Sequence, residues 1–132
     1  MANEKLVLEI NQGCPRGYGF TLSQRICQDD GTYTIVPLDL TDYTVVAQVK
    51  KAPYYKLPSL IEKQITTTDN PNVGVIQDAV NGKFTLQFTQ DDTMKLPPGE
   101  YAFILCMVDA DGICTHLSGD GDSYAIFRVC YQ

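Results

Sequence analysis

The sequence predicts an all-β fold, an immunoglobulin-like antiparallel β-sandwich of about 8 strands with one short helical turn over residues 91–96. Short stretches in which apolar and polar residues alternate recur along the chain, and Gly, Pro, Asn and Asp separate them. Such alternation is typical of strands with one buried and one wet face. A further stretch, residues 101–108, is apolar or aromatic at every position, which indicates a central strand covered on both faces.

Length and composition favour a single globular domain spanning residues 1–132. The chain is long enough for one sizeable core but not for two. Charged residues make up 20% of the chain and apolar residues 44%. These fractions are typical of globular proteins and not of disordered or fibrous ones.

The charge pattern and hydropathy argue against two classes of partner. The formal net charge is −6 and the basic residues are scattered, so there is no basic stripe to neutralise nucleic-acid phosphates. No apolar run approaches the length of a bilayer span, and the first residues lack the apolar core of a signal peptide. We therefore expect a protein that is made and kept inside the producing cell, at least until something else releases it, and that binds neither nucleic acid nor membrane.

Four strands are predicted in the first half of the chain, at residues 5–10, 18–26, 33–36 and 44–51. Asp29-Asp30-Gly31 is a turn signal, which makes the second and third of these strands the two arms of a hairpin. The fourth strand places Val45, Ala47 and Val49 on its core-facing side.

A loop is predicted at residues 52–58, because it contains two prolines and proline cannot donate to a β-ladder. The loop carries Tyr54 and Tyr55, followed by Lys56. Tyrosine is common at protein interfaces, where it supplies contact area at a small entropic cost. Tyr54, Tyr55 and Lys56 are therefore the candidate partner-binding residues. Packing of the loop onto its own sandwich and a platform for carbohydrate are the alternatives.

The second half continues the strand pattern, with predicted strands at residues 60–68, 73–76, 83–89, 101–108, 113–117 and 124–131. Phe84, Leu86 and Phe88 define the apolar face of the third of these strands. Asn81-Gly82, the strongest hairpin dipeptide in the chain, precedes it. Glycine-containing turns separate the last three strands from one another.

The segment between residues 90 and 99 is predicted to form a corner that begins with the helical turn. Asp91 or Asp92 can accept backbone N–H bonds at the start of the turn, and Pro97-Pro98-Gly99 ends it. In immunoglobulin-like sandwiches, a tyrosine near the start of a central strand ties such a corner down. Leu96, Gly99 and Tyr101 are the candidate residues of this structural corner. The alternative is that Tyr101 is an aromatic residue at the edge of the core.

No constellation of residues predicts an enzyme. The single histidine, His116, lies in a short predicted strand, and no nucleophile, phosphate-binding or zinc-protease motif is present. The five cysteines are odd in number and none has C-x-x-C spacing, which argues against a disulfide framework. Cys106 and Cys130 lie within apolar stretches and are predicted to be small core residues.

Two pairs of aspartates have a spacing that could offer oxygens to Ca²⁺. They are Asp109 with Asp111 and Asp120 with Asp122. Both pairs lie at glycine-containing turns, where aspartate is favoured for its bonds to the local backbone. We therefore expect plain turns, no metal and no cofactor.

Several motifs, taken in order, resemble the N-terminal immunoglobulin-like module of tailed-phage baseplate upper proteins and related phage tail or fibre proteins. They are Pro37-Leu38-Asp39-Leu40-Thr41-Asp42-Tyr43-Thr44-Val45, Asn81-Gly82-Lys83-Phe84-Thr85-Leu86, Thr89-Gln90-Asp91-Asp92-Thr93-Met94-Lys95-Leu96, Pro98-Gly99-Glu100-Tyr101 and Leu117-Ser118-Gly119. The resemblance covers roughly residues 22–129 and depends on the order and spacing of these motifs.

The resemblance implies a non-enzymatic structural protein of a tailed-bacteriophage virion, made in the host cytoplasm, that docks as a homo-oligomer or in multiple copies onto a symmetric capsid, head-fibre or tail and baseplate assembly. Its partners would be other virion proteins, such as capsid, portal, tail or baseplate proteins. No multimerising segment follows Gln132, so we expect an accessory or attachment module and not a long fibre. A host-surface or carbohydrate-binding immunoglobulin-like domain is the alternative, motivated by the eight tyrosines and the Asp-rich turns.

Overall fold

The computed structural model describes residues 7–51, 58–116 and 125–130. These residues form eleven β-strands and one short helix. The strands are β1 (Val7–Asn11), β2 (Arg16–Thr21), β3 (Ser23–Cys27), β4 (Tyr33–Pro37), β5 (Thr44–Lys50), β6 (Ile61–Ile65), β7 (Ile76–Asp78), β8 (Lys83–Phe88), β9 (Gly99–Val108), β10 (Cys114–His116) and β11 (Ala125–Cys130). The helix, α1 (Gln90–Met94), lies between β8 and β9. No helix in the described ranges is long and apolar enough to cross a membrane.

The strands form a larger sheet, a smaller sheet and a separate hairpin. The larger sheet has the order β1-β11-β9-β5-β6, and β10 pairs with the C-terminal part of β9. The smaller sheet has the order β2-β8-β7, while β3 and β4 pair only with each other. The pairing of β1 with β11 is parallel and the other strand pairings of the described residues are antiparallel. The predicted all-β sandwich is confirmed.

An aromatic core fills the space between the larger sheet and the smaller sheet. Phe84, Leu86 and Phe88, predicted to share one apolar face of β8, are all almost completely buried. Across the core, the ring of Phe88 lies 4.8 Å from that of Phe127 in β11, between centroids. Aromatic pairs of this kind contribute about 1 kcal/mol beyond the burial of their surface. The core therefore joins β8 to the larger sheet.

The central strand of the larger sheet is β9, as predicted from its apolar residues on both faces. It pairs with β5 along one edge and with β10 and β11 along the other. Residues 102–106 are buried without interruption. Val45, Ala47 and Val49 of β5 are also buried, which confirms the predicted inward face of that strand.

Residues 18–26, predicted as one strand, are two strands that separate at Leu22. The Leu22 amide donates to the carbonyl of Gly82, and the Leu22 carbonyl accepts from the amide of Leu38. The chain thus leaves β8 at this point and pairs with β4 instead. The prediction of one strand was wrong, because alternation of apolar residues does not reveal a change of partner strand. Because of this division, the ten stretches predicted as strands correspond to eleven strands among the described residues, against about 8 in the predicted sandwich.

Two other elements are displaced from their predicted positions. The short edge strand predicted at residues 73–76 is β7, Ile76–Asp78. Just before it, the carbonyls of Val73 and Val75 accept from the amides of Gln87 and Thr85 in β8, and Asn70 and Gly74 form an isolated bridge. The helical turn predicted at residues 91–96 is α1, Gln90–Met94. In both cases the predicted type of element is correct and its bounds are shifted.

A capping box starts α1. The side chain of Thr89 accepts from the backbone amide of Asp92 at 3.2 Å, and Asp92 Oδ2 accepts from the amide of Thr89 at 2.8 Å. Two backbone groups at the helix start are thereby satisfied reciprocally. Asp92, one of the two aspartates predicted to accept here, does so, but the N-cap residue is Thr89.

Asp92 also forms a buried ion pair with Lys63 of β6. Lys63 Nζ lies 2.6 Å from Asp92 Oδ2, and the two side chains are only 9% and 11% exposed. Burial by itself raises the pKa of Asp92, but hydrogen bonds from Lys63 and Thr89 and the charge of Lys63 outweigh it, so the pKa lies below its ordinary value. Lys63 Nζ also donates to the carbonyl of Asn72 at 2.8 Å. The ion pair therefore ties β6 to the connection between β8 and β9.

The connection between β8 and β9 is held by three further hydrogen bonds. Residues 89–101, which include this connection, are called the corner below. Thr93 Oγ1 accepts from the amide of Gly13 at 2.8 Å, and Gln12 Nε2 donates to the carbonyl of Leu96 at 3.1 Å. The hydroxyl of Tyr101 donates to the carbonyl of Pro97 at 2.6 Å. This last bond is the contact expected of a corner tyrosine.

The buried ion pair predicts a pH-dependent stability that a Lys63→Met variant should alter. Because the folded-state pKa of Asp92 is lowered, its contribution is present above about pH 4 and is lost as the pH falls through the folded-state value. Lys63→Met leaves the carboxylate without its cation and should cost about 3 kcal/mol at neutral pH. Urea unfolding at several pH values measures both effects. If Asp92→Asn costs as much in the Lys63→Met background as in the parent, the two groups are not coupled.

The corner tyrosine can be tested with Tyr101→Phe, which removes the hydroxyl and keeps the ring. We expect a loss of about 1 kcal/mol in the free energy of unfolding, the typical contribution of one hydrogen bond. Tyr43→Phe is the matched control, because no hydrogen bond of the Tyr43 hydroxyl occurs among the described residues. Equal stabilities of the two variants would contradict a stabilising role for the Tyr101 bond.

Candidate interaction surface

A two-stranded hairpin, β3 and β4 with their connecting turn, stands apart from both sheets. It is called the hairpin below. The amide of Gln28 donates to the carbonyl of Thr32 at 2.8 Å and closes the turn. Gln28 Nε2 also donates to Thr34 Oγ1 at 3.0 Å. The turn signal Asp29-Asp30-Gly31 thus forms the predicted hairpin, and this prediction is confirmed.

The hairpin exposes large apolar side chains on both of its faces. Ile35 is 60% exposed, Tyr33 53% and Ile26 46%. Pairing register places Ile35 and Tyr33 on one face, and Ile26 on the other. An isolated two-stranded hairpin is marginally stable in water, so a hairpin with apolar residues on both faces gains from being covered. Clustered exposed apolar residues are typical of protein interaction sites.

The root of the hairpin is clamped by the turn between β7 and β8. The Leu22 amide donates to Gly82 O at 2.9 Å, and the Leu38 amide donates to Leu22 O at 3.0 Å. A Cβ atom on Gly82 would come within 2.6 Å of Leu22 O and 2.7 Å of Leu38 O. Gly82 also has φ of +70°, which glycine adopts without strain. The hairpin is therefore fixed to the sandwich at its root, with Leu22 and Leu38 packed against the core.

Four exposed aspartates bracket β4. Asp29 and Asp30 precede it in the turn, and Asp39 and Asp42 follow it. Asp30 Oδ1 accepts from the hydroxyl and the amide of Thr32, and these bonds lower the pKa of Asp30. The hydroxyl and amide of Thr41 bind Asp39 in the same way and lower the pKa of Asp39. Both carboxylates are therefore ionised at neutral pH.

The predicted site residues do not meet at the hairpin. Tyr54, Tyr55 and Lys56 lie outside the described residues, so their assignment stays a prediction. Leu96, Gly99 and Tyr101 lie in the corner, where Leu96 is buried in the core. The corner follows β8, whereas the root of the hairpin contacts Gly82, just before β8. The corner and the hairpin are therefore at opposite ends of β8.

The carboxylate of Asp109, one of the aspartates considered for metal binding, has partners in its own turn. Asp109 Oδ1 accepts from the amides of Asp111 and Ile113, both at 2.9 Å, which matches the plain-turn interpretation of this pair. Asp120 and Asp122 lie outside the described residues. Within residues 7–51, 58–116 and 125–130, no group of three or more His, Cys, Asp or Glu is placed to hold a metal ion.

Cys106 is buried, as predicted, whereas Cys130 is only half-buried. Burial and a hydrogen bond with Cys114 raise the pKa of Cys106 to about 12. The Cys106 thiol is therefore protonated at neutral pH, and a thiol is a poor nucleophile compared with a thiolate.

The sequence matches no protein-family model and no curated protein. The resemblance to phage immunoglobulin-like modules therefore depends on the motifs in this chain alone.

Sequence reasoning missed that the hairpin stands outside the sandwich. The signal was present in part, since Ile26 and Ile35 are apolar in strands joined by a tight turn. Whether a second sheet covers them is decided by distant parts of the chain.

The clamp at the root predicts that Gly82→Ala destabilises the protein more than Gly31→Ala does. Gly31 has φ of +87° with open space around it, so its substitution should cost about 1 kcal/mol from backbone strain alone. Gly82→Ala adds a clash with two carbonyl oxygens, for which we expect about 2 kcal/mol more. Chemical unfolding of both variants measures the difference. Similar losses would show that the root has room to move.

Proposed function

We propose that this chain is a non-enzymatic structural protein of a tailed-bacteriophage virion, an accessory or attachment module that docks in multiple copies onto a symmetric capsid, head-fibre, tail or baseplate assembly. The observation that carries the proposal is the hairpin, which projects from the sandwich and exposes Ile26, Tyr33 and Ile35. Docking through the hairpin would remove these side chains from water. Burial of apolar surface contributes roughly 25 cal/mol per Å², and tyrosine is enriched at interfaces.

The phage setting of the proposal comes from the sequence motifs, and the strand order supports the immunoglobulin-like part of it. Immunoglobulin folds place their strands C, F and G in one sheet and B, E and D in the other. When the strands are matched by their order along the chain, β5, β9 and β11 correspond to C, F and G, and β2, β8 and β7 correspond to B, E and D. The corner with its tyrosine lies between β8 and β9, where strands E and F meet in that pattern.

Docking through the hairpin predicts that Ile35→Asp reduces the copy number of the chain in purified particles. The substitution places a charge in the proposed contact, whereas the isolated protein should keep its stability because Ile35 is 60% exposed. Ile113→Asp is the matched control, an isoleucine of similar exposure, 62%, outside the hairpin. Quantitative mass spectrometry of separated heads and tails measures the copy number, and thermal unfolding checks the fold.

The same experiment separates the hairpin from the predicted loop. If Tyr54→Ala with Tyr55→Ala reduces incorporation and Ile35→Asp does not, the loop is the docking surface and the hairpin is not. Absence of the parent chain from every particle fraction would overturn the virion role. Saturable binding of the isolated protein to host glycans would then favour the alternative, a host-recognition domain.

A further inference from the structure

The hairpin has two outer edges, one on β3 and one on β4. The pairing register shows which backbone amides and carbonyls point to each edge. Leu22 with Leu38 and Gln28 with Thr32 are hydrogen-bonded pairs of the ladder. Such pairs alternate with non-hydrogen-bonded pairs in antiparallel strands. The pair of Arg25 with Ile35 is therefore a non-hydrogen-bonded pair. The amide and carbonyl of Ile35 therefore point away from β3, to the outer edge of β4. This edge has no neighbouring strand among the described residues.

The edge of β4 is better suited to accept a further strand than the edge of β3. The side chains of β4 beside this edge are apolar and exposed, and that of Ile35 is 60% exposed. The sequence of β3, Ser-Gln-Arg-Ile-Cys, is more polar than that of β4 and includes a charged residue, and charged residues on edge strands oppose pairing with other chains. Pro37, which has no amide hydrogen, ends the β4 edge. An added strand would thus be limited to the five residues of β4.

Charge selects the kind of chain that fits this edge. Residues 22–43 contain the four aspartates that bracket β4 and a single basic residue, Arg25. A second copy of this chain would bring the same negative charges together, at a cost for like charges in close contact. A segment with basic residues at both ends and apolar residues between them would match the edge instead. β4 itself spans about 17 Å.

We infer that the outer edge of β4 takes up an extended segment of a partner protein as an added strand, and that lysine or arginine flanks the apolar residues of this segment. The inference rests on the proposed docking role of the hairpin. Strand addition combines main-chain hydrogen bonds with pockets for alternate side chains. Ile35 supplies outward backbone groups for such hydrogen bonds and an exposed apolar side chain against which a side chain of the added strand can pack.

The test compares two proline variants of the full-length chain. Ile35→Pro removes the outward amide hydrogen on the β4 edge, and Cys27→Pro removes the corresponding one on the β3 edge, since Cys27 pairs with Tyr33 in the same class of pair. Neither amide serves the ladder between β3 and β4, so both variants should fold. We expect Ile35→Pro to lower incorporation into particles roughly tenfold and Cys27→Pro to leave it unchanged. Equal incorporation of both variants would overturn the inference but leave the virion role intact.

Photo-cross-linking identifies the partner segment directly. Tyr33 is replaced by p-benzoylphenylalanine, and cross-linked peptides are sequenced from particles and from the whole lysate in which the chain is made. A peptide with apolar residues flanked by lysine or arginine supports the inference when its cross-linking yield falls as the salt concentration before irradiation is raised from about 0.05 M to about 0.5 M. A cross-link to a second copy of this chain, or to an acidic segment, overturns it. Absence of the chain from particles overturns the virion role, while the lysate still decides what the edge binds.

Discussion

The ion pair between Lys63 and Asp92 is the interaction on which the corner of this sandwich depends. Two charges that are about nine-tenths buried are stable only when each has a partner of good geometry. Asp92 meets this condition twice, since it also accepts the amide of Thr89 and so fixes the start of α1. One carboxylate therefore joins the helix, the connection between the sheets and β6.

The two ends of the sandwich use their backbone hydrogen bonds differently. At the corner, the side chain of Gln12, from a distant part of the chain, donates to the carbonyl of Leu96, and the hydroxyl of Tyr101, within the corner itself, donates to the carbonyl of Pro97. At the opposite end, hydrogen bonds clamp only the root of the hairpin, and the strands beyond Leu22 and Leu38 pair with each other. The corner is thus held to the sandwich by side-chain hydrogen bonds, whereas the hairpin beyond its root presents exposed apolar side chains.

Much of the fold was predictable because its signals are local. The inward face of β5 and the buried face of β8 follow from alternation of apolar residues, which fixes the face of a strand wherever one side is buried. The hairpin turn at Asp29-Asp30-Gly31 follows from residues that favour turns. The capping box was missed although its signal, Thr89 with Asp92 three positions later, is also local. Leu22, where one predicted strand becomes two, has no such local signal.

By itself, the sequence determined the all-β class, the central strand β9, and the position of the corner before Tyr101, because these depend on periodicity and on turn residues close in the chain. Only the tertiary structure decided that Lys63 reaches Asp92, that Gly82 has no room for a side chain, and that the hairpin stands outside the sheets. Each of these depends on residues far apart in the chain that fold to the same place. Burial and pairing across such distances are set by the packing of the whole chain, and no single segment encodes them.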